Sequence, residues 1–222
     1  MFNREPRFAK KGRPVKMDWF MKRVLFLSGP VLTLALSGCL SESSSDAKRP
    51  EKAVEPVTGQ LALYRMYQVA RSWAPDVEVL AMHSIHVTEI PYVVGSAGAW
   101  QATFISEMKN AARSYTYSVI EADPNLHLGV FAGQPESSTN GLTTPFLIAT
   151  VKVDTNTAYK TALAKTSEAA NEQKTHTISF LLDKQEKFTN PSWRVVWGES
   201  VGTAGLSAYI DASTGEYLAT MH

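Results

Sequence analysis

The sequence predicts an α+β protein built as two tandem units, each one α-helix packed on an antiparallel β-sheet. Three observations lead there. Apolar residues recur first at helical spacing and then in strand-like alternation, and this order occurs twice along the chain. The segments Trp100-Gln101-Ala102-Thr103-Phe104 and Trp193-Arg194-Val195-Val196-Trp197 share one design, opening on Trp with apolar residues two and four positions on, and they lie 93 residues apart. Each half closes on two apolar segments that flank a turn signal, Asp123-Pro124-Asn125 in one and Ser213-Thr214-Gly215 in the other. The units are placed at residues 57–135 and 136–222.

In the first unit, Gln60 to Ala74 reads as an amphipathic helix with Leu63, Tyr67, Ala70 and Trp73 on one face, ended by Pro75. A strand follows over Val77 to Val87, with Val77, Val79, Ala81, Ile85 and Val87 alternating and His83 on the apolar face. The Trp100 strand and the hairpin segments Tyr115–Ala122 and Leu126–Ala132 complete the unit. In the second, Asp154 is suited to cap a helix reaching Asn171, whose face carries Ala158, Tyr159, Ala162, Leu163, Thr166 and Ala169. Strands at Ile178–Leu182 and Trp193–Trp197 and a hairpin of Leu206–Asp211 with Glu216–Met221 follow. Trp193 and Trp197 should share a face with Val195 beneath that helix. Gly215 is the turn position suited to positive φ, and the short Asp211 carboxylate suits a role in holding the loop N–H groups.

Residues 1–38 have another character. Eight basic residues against two acidic ones occupy the first 23 positions, and a 13-residue, largely apolar run then spans Val24 to Leu36. A stable membrane span needs roughly 20 apolar residues, so this segment reads as an export signal. It ends in Leu36-Ser37-Gly38-Cys39, which resembles the lipobox of bacterial lipoproteins. That resemblance implies cleavage before Cys39, lipidation of its thiol (palmitate being the acyl group expected to label it) and a membrane anchor. The chain would face the periplasm or the exterior of the cell envelope. Leu40 is not the aspartate linked to inner-membrane retention in enteric lipoproteins, which favours the outer membrane where one exists. Met17 and Met21 serve as alternative starts to Met1. Residues 40–56, rich in Ser, Glu, Lys and Pro, read as a tether behind the lipidated cysteine, so the anchor and tether take 39–56.

With the signal removed, 14 basic and 19 acidic residues remain, a net charge of −5 from a chain that is +1 overall. No basic patch survives to neutralise phosphates, which argues against nucleic acid as a partner. Cys39 is the single cysteine, so no disulfide is available.

The stretch Ser192 to Trp197, followed by Ala208-Tyr209-Ile210-Asp211-Ala212-Ser213-Thr214-Gly215-Glu216-Tyr217-Leu218, resembles the end of a PepSY domain. It covers about residues 150–222. In the first half Asp123-Pro124-Asn125 replaces the Thr-Gly pair, so a second PepSY-like unit rests there on element order alone. The resemblance implies a PepSY- or cystatin-like unit and a regulatory role toward a protein partner, a peptidase among the choices. Trp193, Trp197, Asp211 and Gly215 are its structural or interaction residues.

Catalytic chemistry finds little support. Gly198-Glu199-Ser200-Val201-Gly202 has the letters of a nucleophile elbow, but the elbow requires a helix after the turn, and another strand is expected there. His83 and His86 are three apart in a strand and point to opposite faces, while His127, His176 and His222 are dispersed. No metal site, cofactor motif or P-loop is expected, and Asp76 and Glu78 read as solvated surface. The aromatics Trp73, Trp100, Trp193, Trp197, Tyr115, Tyr117 and Tyr209 read first as core and second as a ligand surface. The expected function is that of a non-enzymatic envelope lipoprotein binding or regulating a protein. A small-molecule binder and a hydrolase using Ser200 stand as alternatives.

Overall fold

Alternating apolar side chains form strands only when a partner strand takes up their backbone groups, and here one sheet supplies all the major pairings. The computed structural model describes residues 54–122, 126–137, 144–166, 177–202 and 204–221. Its elements are β1 (Val57–Thr58), α1 (Gly59–Trp73), β2 (Glu78–Ile85), β3 (Ser96–Ala97), β4 (Ala99–Ser106), β5 (Ala111–Ser118) and β6 (Gly129–Ser137). After a 3-10 turn at Ile148–Thr150 come α2 (Thr155–Lys165), β7 (Ile178–Asp183), β8 (Ser192–Trp197), β9 (Ser207–Asp211) and β10 (Tyr217–Met221).

The expectation of an α+β protein of two tandem helix-on-sheet units is overturned: the described residues are mostly β. Eight strands form one antiparallel sheet in the order β10-β9-β8-β7-β2-β4-β5-β6, with β1 and β3 as a separate short ribbon. The seam is the pairing of β2 with β7, where Met82 faces Leu182 and His83 faces Leu181. Each half contributes a helix and four strands. The apolar side of the sheet is continuous across the seam, so the helices cover one core rather than two. Leu63, Met66, Trp100 and Phe104 from the first half share it with Ala158, Phe180, Trp193 and Trp197 from the second. Two small sheets would each expose an extra edge of unpaired backbone groups, and the joined sheet removes both.

Several local expectations also shift. The buried stripe of α1 is Gly59, Ala62, Leu63, Met66 and Ala70, with Tyr67 and Trp73 only partly buried against the core. In β2 the register slips between Val79 and Ala81. One extra residue reverses which face each later side chain takes. Val79 and Met82 therefore point into the core and His83 is exposed, contrary to the placement of His83 on the apolar face. The second helix ends at Lys165 rather than at Asn171, with Thr166 as its C-cap. The alternation in the other strands holds: Trp100, Ala102 and Phe104 are buried, as are Ile178, Phe180 and Leu182, and Trp193, Val195 and Trp197. The signal segment, Cys39, most of the tether, the Asp123-Pro124-Asn125 turn, His176 and His222 lie outside the described residues. No helix among the described residues is long and apolar enough to cross a membrane.

Candidate functional site

Two tryptophans lie at the centre of the core, one from each half. The Trp100 and Trp193 rings meet edge to face, with centroids 6.5 Å apart. Each indole N–H donates to a carbonyl two residues before a helix: Trp100 Nε1 to Val57 O at 3.0 Å, and Trp193 Nε1 to Val153 O at 2.7 Å. The two helix N-termini are thereby drawn together above the ring pair. A Cβ on Gly59 would lie 2.7 Å from the Thr155 methyl and 2.8 Å from the Trp193 ring, so only glycine fits at that approach.

Capping follows from this contact. Asp154 is the N-cap of α2, and its Oδ1 accepts from Thr155 N at 2.8 Å. The same oxygen accepts from Gln60 N of α1 at 3.0 Å, while Thr155 Oγ1 accepts from Gly59 N at 3.0 Å and donates to Gly95 O. Thr58, the N-cap of α1, makes no side-chain cap bond. The opening N–H groups of α1, which no intrahelical carbonyl reaches, are satisfied by residues of the second half.

The final hairpin is locked to the same junction. Gly215 has φ +81°. Asp211 Oδ1 accepts from Ser213 N at 2.7 Å and Thr214 N at 2.9 Å, and Asn190 Nδ2 donates to Oδ2 at 3.0 Å. The Ala212 carbonyl accepts from Lys152 N and Val153 N, and Ser213 Oγ donates to Thr150 O. Asp211 is thus a buried turn-holding carboxylate. Trp193 and Trp197 have no exposed surface, and Tyr159 of α2 packs on the Trp197 ring at 6.5 Å. These are core positions.

Ser200 is exposed in the connection between β8 and β9. The next element after it is a strand, so the strand–turn–helix of a nucleophile elbow is not formed. His127 is exposed, pairs with Glu121 at 2.8 Å and packs on Phe131. Asp76 is not simply solvated: it accepts from Met108 N at 2.9 Å and Ser106 Oγ at 2.7 Å, and these bonds hold its carboxyl below the usual range. Among the described residues no cluster of three His, Cys, Asp or Glu side chains has metal-binding geometry. A small, partly open hollow lined in part by Ser84, Val87, Tyr92, Gly98 and Ile178 measures about 20 Å³, room for about one water.

Two surface features escaped sequence reasoning. One is the outward face of α1, where Leu61, Tyr64 and Val69 are exposed and a depression of about 400 Å³ opens among Tyr64, Tyr67, Gln68, Arg71 and Ser72. Its signal was available: an arginine-bearing helix with no acidic residue in an acid-rich chain. The other is Asp183, half-buried on the side of the sheet away from the helices, where burial raises its carboxyl pKa.

No family model matches the chain, and no curated protein does. The PepSY resemblance therefore rests on the residues of the final hairpin and its neighbouring strand. Among solved structures, the chain is similar to a protein named "putative lipoprotein" from Clostridium difficile 630. The two are 8% identical, the match covers 78% of this chain and 95% of that one, and the TM-score is 0.39.

Proposed function

We propose that this protein is a cell-envelope lipoprotein, anchored through lipid on Cys39, whose folded domain binds or regulates a protein partner and performs no catalysis. The observation that carries the anchor is Leu36-Ser37-Gly38-Cys39 at the end of the 13-residue apolar run. The chemistry of the domain supports the binding role. Asp211, the buried acidic group of the final hairpin, is committed to loop N–H groups, and Ser200 lies between two strands. The PepSY-like hairpin adds a preference for a peptidase as the regulated partner. Leu40 favours the outer membrane in a cell that has one.

Cys39→Ser tests the anchor. Each buried methylene contributes about 0.8 kcal/mol, and two or more acyl chains hold firmly where one does not. A palmitate analogue should mark the wild-type chain and not the variant, and the variant should leave the membrane fraction or remain uncleaved. Equal labelling of both would refute the anchor. Crosslinking in intact cells, read by mass spectrometry, tests the partner. Recovery of no protein above the level seen with an unrelated lipoprotein would count against a binding role.

A further inference from the structure

Both helices lie on one side of the sheet, and neither contains an aspartate or glutamate. α1 carries Arg65 and Arg71, and α2 carries Lys160 and Lys165, all four exposed. From Cys39 onward the chain nevertheless holds 19 acidic residues against 14 basic ones. The net charge of −5 thus conceals a segregation in which the helical layer is positive. Described carboxylates that border the helices are tied to specific neighbours, as is Asp76 to Ser106 and Met108, or sit at the margin. Asp154 accepts from Gln60 N and Thr155 N, and Glu216 lies beside Lys165 at the last hairpin.

The outward face of α1 combines this charge with apolar surface. At 100° per residue, Leu61, Tyr64, Arg65, Gln68, Val69, Arg71 and Ser72 fall on one side of the helix, opposite Leu63, Met66 and Ala70. Leu61, Tyr64 and Val69 are 41–44% exposed. Apolar side chains flanked by arginines suit the boundary between lipid headgroups and acyl chains, where the long basic side chains reach back to phosphate.

The position of α1 in the chain supplies the occupant. α1 begins 20 residues after Cys39, and the chain reaches it on the helix side of the sheet, where Val57 O accepts from Trp100 Nε1. Val54 lies 15 residues after Cys39, a length that would span roughly 20 Å if it were a random coil. A lipid on Cys39 therefore brings the start of α1, with the start of α2 beside it, within reach of the bilayer.

We infer that the outward face of α1, Leu61, Tyr64 and Val69 with Arg65 and Arg71, docks on anionic phospholipid headgroups of the membrane that holds Cys39, with Lys160 and Lys165 of α2 facing the same surface. This rests on the lipoprotein reading above. It orients the domain with its helices toward the bilayer and the opposite side of the sheet, which carries His83, Gln101 and Arg194, away from it.

The test uses the acylated mature chain reconstituted in vesicles of phosphatidylcholine alone or with phosphatidylglycerol. Gln68→Cys and Glu186→Cys place thiols on the α1 face and on the opposite side, and maleimide labelling is read residue by residue by mass spectrometry. An arginine near an anionic surface shifts the partition about fivefold. Residue 68 should label at least about fivefold more slowly on anionic than on neutral vesicles, and residue 186 at the same rate on both. High salt, or Arg65→Gln with Arg71→Gln, should abolish the protection. Equal rates at residue 68 on the two vesicle types, or protection indifferent to salt and to the arginines, would overturn the docking. Reactivity of Cys39 itself reports separately on the anchor. A labelled Cys39 refutes acylation, and the ratio at residue 68 still decides the docking.

Discussion

The two halves of the sheet carry corresponding tryptophans and corresponding helix starts, yet they solve the helix N-terminus differently. α2 is capped by its own Asp154. α1 has Thr58 in the equivalent place with no side-chain bond, and its first N–H groups are satisfied by Thr155 and Asp154. The second half is locally self-sufficient at this point and the first is not. Likeness of element order therefore does not make two equivalent units. The first half is completed by the second, through a seam of paired strands and a pair of borrowed caps.

The largest expected effect comes from the ring at the centre of that contact. Trp193→Ala should cost roughly 3–5 kcal/mol in denaturant melts, as for other buried aromatic truncations, and it also leaves Val153 O without its indole donor. Hydrogen exchange should accelerate in the opening turn of α1 as well as in α2. Loss confined to α2 would show that the halves are uncoupled. A melt that coincides with wild type would show that Trp193 is not a core residue.

Asp154→Ala sharpens the comparison at the caps. It removes one acceptor shared by two helices and should cost up to about 2 kcal/mol. Thr58→Ala, at the corresponding cap of α1, should stay within about 0.5 kcal/mol. Equal losses would mean that each helix is capped by its own residue.

The final hairpin corresponds to the β5–β6 pair of the first half, whose turn at residues 123–125 lies outside the described residues. Gly215→Val should cost at least about 1 kcal/mol, because a β-branched residue strains at positive φ. A Cβ there meets Val153 no closer than 3.5 Å, so space is not the issue. Gly215→Asn should be milder, since asparagine tolerates that region. Asp211→Asn should be mild too: the amide oxygen still accepts from Ser213 and Thr214, and the Asn190 amide can turn over so that its oxygen accepts from the new NH2. Similar losses for Val and Asn at 215 would indicate a packing role instead.

The smallest effect concerns the seam. Asp183 pairs with Ala81 across it and with Ser192 on the other side. Asp183 Oδ1 and Ser192 Oγ are buried without a hydrogen-bond partner among the described residues. Burial holds the Asp183 carboxyl above the usual carboxylate range, and Gln185, Arg194 and Lys187 pull it partly back. A carboxyl raised on folding contributes stability that is fully present below its unfolded pKa and lost as pH rises through the folded one. Asp183→Asn mimics the protonated form, so it should raise the melting temperature at neutral pH, and the gain should vanish in acid. A variant less stable than wild type at neutral pH would show that the carboxylate is paired and favourable.

Sequence patterning disclosed what is local. The strands at Trp100, Ile178 and Trp193, the Asp154 cap and the Gly215 turn each leave a mark within a few residues, and each is found in place. The pairing of β2 with β7 leaves none, because the partners are about 100 residues apart and either strand would look the same with another neighbour. The slip between Val79 and Ala81 was equally hidden. One inserted residue reverses a strand's faces, and composition does not record which residue is extra, so His83 was placed on the wrong side. The α1 face at Leu61, Tyr64 and Val69 was visible only in part. Exposure of those residues depends on which side of the helix the joined sheet occupies.

The borrowed caps also bear on the order of events in biosynthesis. Gly59 and Gln60 find their acceptors 96 and 94 residues later in the chain, and the seam joins strands at a similar distance. Contacts of such long range slow folding, because the loop between them must close before they form. While the chain is being made or threaded across a membrane from its N-terminus, the first helix and the β2 edge emerge before the residues that complete them. The early half stays unfinished and easily unwound until the late half follows. On the lipoprotein reading proposed above, in which the chain is exported through a narrow channel, that delay would keep it threadable.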